Sequence, residues 1–297
     1  MHPRLRAYAD LLRLRFFFAW PVLFASGYVL ATGIYGGFTW AGLARVALIG
    51  FFGFEAGFVL NDYVDREFDR RDIEKDRLTK YWRPFGTRPI PEGLVPASHA
   101  LGIFVLFAAI AAVLILTLPR PHSVYVLLIM LYAFTIEIFY QEEKRSQSFP
   151  FAQLIGRTDF ALFPVAGYLV AGIPDSTAVL YFLFFFPFAL AHLGANDLID
   201  IRNDEARGMK TIPVLYGIDR TAWWIAGFSA LHALAAVFFM VRLGLPGTAG
   251  ILAGLVLILY ANTVILRKKT PDSALHVLPC FHVAMLVYAV SIALSGI

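Results

Sequence analysis

The sequence predicts an all-α fold, a polytopic membrane helical bundle of about nine transmembrane helices around a central cavity. Three observations carry that prediction. Hydrophobic residues make up 59% of the 297 residues and charged residues 15%, whereas soluble domains carry about 25% charged residues and need them on the surface. The apolar residues fall into runs of about 20, long enough to cross a hydrocarbon core and too long and unbroken for barrel strands. Lys and Arg are dense in every second inter-run loop. Abundant apolar residues with a net charge of only +4 exclude a disordered chain. The whole of 1–297 reads as one integral-membrane domain with two related halves.

The runs are 16–34, 41–61, 98–118, 123–141, 152–172, 178–197, 221–241, 246–266 and 277–295. The first follows Arg4, Arg6, Arg13 and Arg15 and ends at Gly36-Gly37. No small-residue cleavage site follows it, so it reads as a span and not a signal peptide. The second ends in a polar motif and a long basic loop. Pro119-Arg120-Pro121 turns the third run into the fourth, and Gly172-Ile173-Pro174 turns the fifth into the sixth. The sixth ends in a second polar motif. Arg267, Lys268 and Lys269 separate the eighth from the ninth.

These boundaries put 22 of the 25 Lys and Arg residues on one side, leaving Arg45, Arg120 and Arg242 on the other. The positive-inside rule then places the N-terminus and the 61–97 loop in the cytoplasm of an inner membrane, with the C-terminus outside. Sidedness also accounts for the basic surplus without nucleic acid. The single cysteine, Cys280, excludes an intramolecular disulfide and a multi-cysteine metal site.

The second run ends Asn61-Asp62-Tyr63-Val64-Asp65-Arg66-Glu67-Phe68-Asp69, and the sixth ends Asn196-Asp197-Leu198-Ile199-Asp200-Ile201-Arg202-Asn203-Asp204. Both read N-D-x-x-D-x-x-x-D. Spacings of three and four gather the acids on one helix face, where they repel unless a cation lies between them. Hard oxygen ligands from two elements suit Mg²⁺ bridging carboxylates to substrate phosphates. Asp62, Asp65, Asp69, Asp197, Asp200 and Asp204 are therefore candidate metal ligands, and a metal-bound diphosphate is the candidate substrate group. Two solvated helix ends that happen to be acidic are the plainer alternative.

Other polar residues could join this site. Tyr140 and Lys144, four apart, share a face and could meet a phosphate, although taken alone a snorkelling lysine beside an interfacial tyrosine is the favoured explanation. Arg88 follows the first motif and Lys210 the second, where each could meet a leaving diphosphate or serve only sidedness. His192 lies one turn before Asn196, and Glu55 two turns before Asp62, so both are pocket candidates. Glu137, Asp159 and Asn262 are also polar groups inside runs and should face the bundle interior. Aromatic residues, 15% of the chain, could line a greasy tunnel.

The two acidic motifs, the Arg88-Pro89-Ile90 to Gly93 segment, Tyr140 to Lys144, and Asp200 to Thr211 together resemble the UbiA superfamily of intramembrane prenyltransferases. The resemblance covers essentially the whole chain. It departs at Arg70–Thr87, a longer linker with a second Arg-Pro at Arg83-Pro84, so Arg83 competes with Arg88 for the phosphate-binding role; Arg88 is preferred. The resemblance implies a polyprenyl diphosphate entering laterally from the bilayer and held by two Mg²⁺ between the acidic motifs. Its allylic carbon–oxygen bond breaks, and an acceptor takes the carbocation and loses a proton. It casts Asp65, Asp200 and Lys210 as catalytic, and Asn61, Arg88, Tyr140, Lys144, Asn196 and Lys210 as diphosphate-binding. The acceptor would be lipophilic, either an aromatic quinone precursor or geranylgeranylglyceryl phosphate. A terpene cyclase or lyase on the same scaffold, or a repeat-built transporter, are the alternatives.

Overall fold

In a computed structural model describing residues 2–297, the chain forms thirteen helices among the described residues. They are α1 (Pro3–Leu11), α2 (Ala19–Tyr35), α3 (Trp40–Asp69), α4 (Leu78–Trp82), α5 (Ala97–Leu116), α6 (His122–Glu143), α7 (Phe151–Gly156), α8 (Thr158–Leu169), α9 (Ser176–Ile199), α10 (Ile201–Arg207), α11 (Ile212–Met240), α12 (Leu245–Lys268) and α13 (Pro271–Leu294). Every apolar run has its helix. Seven (α3, α5, α6, α9, α11, α12 and α13) are long and apolar enough to cross a membrane. The expected nine is approximate, because α2 has only 17 residues and the fifth run breaks at Arg157 into α7 and α8.

Length positions the polar motifs. α3 starts where the Thr39 hydroxyl accepts from the Gly42 amide at 2.9 Å and continues for 30 residues. At 1.5 Å per residue it measures about 45 Å, against a hydrocarbon core of about 30 Å. Its last turns, carrying Asn61 to Asp69, therefore reach the polar edge of the bundle. α9 starts at the Asp175 cap, whose Oδ1 accepts from the Ala178 amide at 2.9 Å. It ends inside the second motif: Asp200 is its C-cap and the N-cap of α10. The second motif thus bends where the first is a continuous helix.

α2 runs through the middle of the bundle, packed on α3, α8 and α13. A Cβ on Gly27 would sit 2.1 Å from the Pro164 carbonyl oxygen, and one on Gly167 would sit 1.9 Å from that of Phe24. These paired glycines let α2 and α8 meet backbone to backbone, the small-residue contact that membrane helices favour. Trp20, Tyr181, Phe184, Phe185, Phe188 and Tyr288 fill the core. Long apolar residues such as Val105, Val113, Leu116, Leu128 and Val256 point outward, as lipid contact requires.

The N-terminal helix ties down the long basic loop. Asp10 is fully buried. Its carboxylate accepts from the Phe85 amide at 2.7 Å, the Thr87 amide at 2.8 Å and the Thr87 hydroxyl at 2.6 Å. Arg15 donates to the carbonyls of Lys80 and Tyr81 at 3.0 and 2.8 Å. The Asp10 clamp holds the turn between Arg83 and Arg88. Asp10→Ala strands two backbone amides, at roughly 1–3 kcal/mol each. Limited trypsinolysis between Arg70 and Arg88 should then accelerate about tenfold or more; an unchanged cleavage rate would show that the clamp is dispensable.

Candidate active site

A cavity of about 280 Å³ opens among α2, α3, α6, α8 and α9 under the 78–88 segment. Three helices supply its walls as stripes at helical spacing. α3 contributes Gly53, Phe54, Gly57, Phe58, Asn61, Asp65 and Asp69; α6 contributes Ala133, Phe134, Glu137, Tyr140 and Lys144; α9 contributes His192, Leu193, Asn196 and Asp197, with Asp200 at its end. A Cβ added to Gly53 or Gly57 would meet no atom within 4 Å, so these glycines widen the space. The inner part is aromatic, with Trp20 stacked on Phe54 at 3.9 Å and Phe163 edge-on to Phe54 at 4.8 Å. The mouth is ionic.

Of the residues anticipated from sequence, the fold brings Asn61, Asp65, Asp69, Arg88, Tyr140, Lys144, His192, Asn196, Asp197, Asp200 and Asp204 to this cavity. Three are not among its walls. Asp62 and Glu55 are buried but lie outside the lining. At about 100° per residue, Asp62 and Glu55 sit at the edge of the α3 face that carries Phe54, Phe58, Asn61, Asp65 and Asp69. Asp62 is closed by Arg13 at 2.9 Å and Arg83 at 2.5 Å, and it is those two arginines that line the cavity there. Lys210 points out and is exposed. Only its backbone serves the site, donating to the Lys144 carbonyl at 2.6 Å and accepting from Gln147 at 2.7 Å.

Among the remaining motif acids, Asp65, Asp69, Asp200 and Asp204 are closed by cations. Lys144 Nζ lies 2.7 Å from Asp65 Oδ2, and Arg145 lies 3.2 Å from Oδ1. Arg88 bridges Asp69 at 2.6 Å and Asp72 at 2.7 Å. Arg207 pairs with Asp72 and reaches Asp69 at 3.4 Å, Asp200 at 3.5 Å and Asp204 at 3.7 Å. Asn61 donates to Glu137 at 2.6 Å, and Asp204 accepts from the Thr211 hydroxyl at 2.8 Å. Burial, with Asp200 and Asp197 nearby, pushes the Asp204 carboxyl well above the usual carboxylate range; burial also raises Asp72. So much crowded negative charge demands cations.

Sequence reasoning passed over several groups. Arg207 stands three residues after Asp204, an i,i+3 spacing that signals the pair. Asn203 staples the first loop to the second motif: its Oδ1 accepts from the Ile73 and Glu74 amides at 3.0 and 2.8 Å, and its Nδ2 donates to Asp200 at 2.7 Å. Arg157 and Arg13 carry no sequence signal that separates them from positive-inside charge. Both Arg83 and Arg88 line the cavity.

Among the described residues, no three His, Cys, Asp or Glu side chains are arranged as a ready-made metal cluster. The donor chemistry nevertheless fits a hard divalent cation. The acids facing the cavity are all-oxygen donors, and Asp197 Oδ2 and Asn196 Oδ1 are buried without any hydrogen-bond partner.

The model of the UbiA prenyltransferase family matches residues 18–286. This chain belongs to that family. With seven long apolar helices, this UbiA chain is an integral membrane protein. It is 28% identical over 264 residues to the digeranylgeranylglyceryl phosphate synthase of Pyrococcus abyssi, covering 86% of this chain and 85% of that one. It is 29% identical over 218 residues to the 4-hydroxybenzoate octaprenyltransferase of Alkalilimnicola ehrlichii, covering 73% and 69%. The fold matches a UbiA homolog from Archaeoglobus fulgidus bound to DMAPP and Mg²⁺, with a TM-score of 0.69 at 18% identity, over 96% of this chain and 98% of that one.

Proposed function

We propose that this UbiA prenyltransferase moves a polyprenyl group from an allylic polyprenyl diphosphate to a lipophilic acceptor, in a Mg²⁺-dependent reaction at a single-domain site of the inner membrane that faces the cytoplasm, with the N-terminus on the cytoplasmic side. The observation that carries this reading is the cavity's polarity. Two acidic motifs and their cations line the mouth, and aromatic side chains line the interior.

Asp65 and Asp69 from one motif and Asp197, Asp200 and Asp204 from the other are the proposed ligands for two Mg²⁺ ions. When bound, Mg²⁺ neutralises the diphosphate and makes it a better leaving group. Lys144, Arg88 and Arg207 meet the oxygen charge that develops as the allylic carbon–oxygen bond breaks. Tyr140, Asn61 and Asn196 orient the diphosphate. The Trp20–Phe54–Phe163 wall excludes water from the allylic cation and offers ring faces to it. The digeranylgeranylglyceryl phosphate synthase and 4-hydroxybenzoate octaprenyltransferase relatives support two acceptor classes, a glyceryl phosphate ether and a hydroxybenzoate. The acids sit at helix ends, not at the midplane where a carrier of this kind binds its cargo, which favours the transferase over the transporter.

The test is product mass. Purified protein is given Mg²⁺ and geranylgeranyl diphosphate, with 4-hydroxybenzoate and geranylgeranylglyceryl phosphate in parallel. The expected result is one acceptor plus one prenyl group, lost when Mg²⁺ is chelated. Diphosphate release yielding only a hydrocarbon or terpene alcohol would make this chain a cyclase or lyase.

A further inference from the structure

Six basic side chains of Lys and Arg line the cavity: Arg13, Arg83, Arg88, Lys144, Arg157 and Arg207. Five are ion-paired to carboxylates. Among the described residues Arg157 alone of the six forms no ion pair and no side-chain hydrogen bond, and its Nε is buried without a partner. A guanidinium inside a membrane bundle is expensive unless something anionic completes it. Three carboxylates stand around it, Glu137, Asp159 and Asp197, and among the described residues none forms an ion pair with it. Glu137 already accepts from Asn61 and Gln141, and Asp159 accepts from the Phe160 amide.

The position of Arg157 is fixed by the break in the fifth run. α7 ends at Gly156, where a Cβ would lie 2.7 Å from the Tyr140 ring, so the ring wedges directly against the junction. Arg157 follows immediately, with its guanidinium 4.9 Å from the centre of that ring, at the positive end of the twelve-residue α8. Lys144 touches the same ring from 4.9 Å. Lys144 is one turn of α6 closer to the mouth than Tyr140, and Glu137 is about one turn deeper. Thr158, the next residue, meets the Tyr132 hydroxyl at 2.7 Å, about two turns of α6 deeper than Tyr140, so Arg157 stands inward of Lys144.

We infer that Arg157 is the anion anchor of the acceptor subsite, taking a carboxylate or a phosphate monoester on the acceptor in charge-assisted, bidentate hydrogen bonds. This rests on the transferase reading above. Anchored there, an acceptor presents its nucleophilic atom about one helical turn, roughly 5 Å, toward the mouth, where the allylic carbon–oxygen bond breaks. The anchor thus demands an acceptor that carries an anion a short distance from its nucleophile.

Acceptor affinity tests the assignment without turnover. Isothermal titration into detergent-solubilised wild type and Arg157→Gln would use 4-hydroxybenzoate beside its methyl ester, and geranylgeranylglyceryl phosphate beside geranylgeranylglycerol. In wild type, one charged acceptor should bind at least tenfold tighter than its neutral partner, and which pair shows this identifies carboxylate or phosphate. Arg157→Gln should erase that ratio, Arg157→Lys should keep part of it, and geranylgeranyl diphosphate affinity should stay unchanged in both. Equal affinity for charged and neutral forms in wild type, or binding of neither anion, overturns the anchor, and does so even if Arg157→Gln fails to fold. An intact ratio in Arg157→Gln, or a selective loss of diphosphate affinity, also overturns it. Binding through Arg157 without prenyl transfer in wild type would strike the proposed activity and leave the anchor standing.

Discussion

Asp65→Ala and Asp200→Ala should each lower prenyl transfer by about a hundredfold or more, the scale on which removing one preorganised electrostatic group acts. Each acid belongs to a different motif, and each faces the mouth of the cavity. Losing Asp65 frees Lys144 and Arg145, which pair with its two oxygens. Losing Asp200 frees Asn203, which ties the first loop to the second motif. Both changes also remove an oxygen donor facing the proposed metal–diphosphate site. The measurement is turnover at saturating donor and Mg²⁺, on protein that elutes and melts as wild type does. Asp197→Asn and Asp62→Asn sharpen it, because these residues occupy the same place in the two repeats. Asp197 faces the cavity with an unpartnered oxygen, whereas Asp62 is sealed between Arg13 and Arg83. The first should lose activity with little loss of stability, and the second should lose mainly stability. A folded Asp65→Ala or Asp200→Ala within fivefold of wild-type activity would remove these acids from the chemistry.

The contrast between Asp62 and Asp197 marks where the sequence stops being legible. Membrane helices were readable because the hydrocarbon core imposes a minimum apolar length, and each run from 16–34 to 277–295 found its helix. The break at Arg157 was not, because run 152–172 is apolar on both sides of it and hydropathy averages across a single turn. The acidic motifs could be found because four polar residues recurred at fixed offsets. Their roles could not be read from offset, because Asp62 and Asp197 each follow the motif asparagine inside a continuous helix and so stand on equivalent faces. What separates them comes from elsewhere in the chain: Arg13 and Arg83 close over Asp62, while Asp197 keeps an unpartnered oxygen on the cavity side. The cations were hardest. Arg207 and Lys210 are three residues apart and look alike as positive-inside charge, yet one is buried among four carboxylates and the other is exposed. The Gly208 turn between them, with φ at +75°, ends α10 after Arg207 and sends the chain away before Lys210.

Arg207→Ala should be the most destabilising substitution at this site. Its guanidinium is buried and pairs with Asp69, Asp72, Asp200 and Asp204, so it joins the end of α3 and its following loop to both sides of the α9–α10 break. Removing one partner of a buried ion pair costs about 3–5 kcal/mol, because the remaining charge is left uncompensated. Here several carboxylates lose their shared cation at once. Arg88 can cover only Asp69 and Asp72; Asp200 and Asp204 would have no other arginine. The expected result is a markedly lower melting temperature in detergent. Arg207→Lys should recover only part of it, since an ammonium cannot span four acids as a planar fork does. Divalent cations separate this account from simple loss of packing. If the arginine and Mg²⁺ neutralise the same carboxylates, added Mg²⁺ should raise the melting temperature of Arg207→Ala more than that of wild type. An equal rise in both proteins would mean that the acids around Arg207 are not where the metal binds, and the ligand set would then shrink toward Asp65 and Asp197.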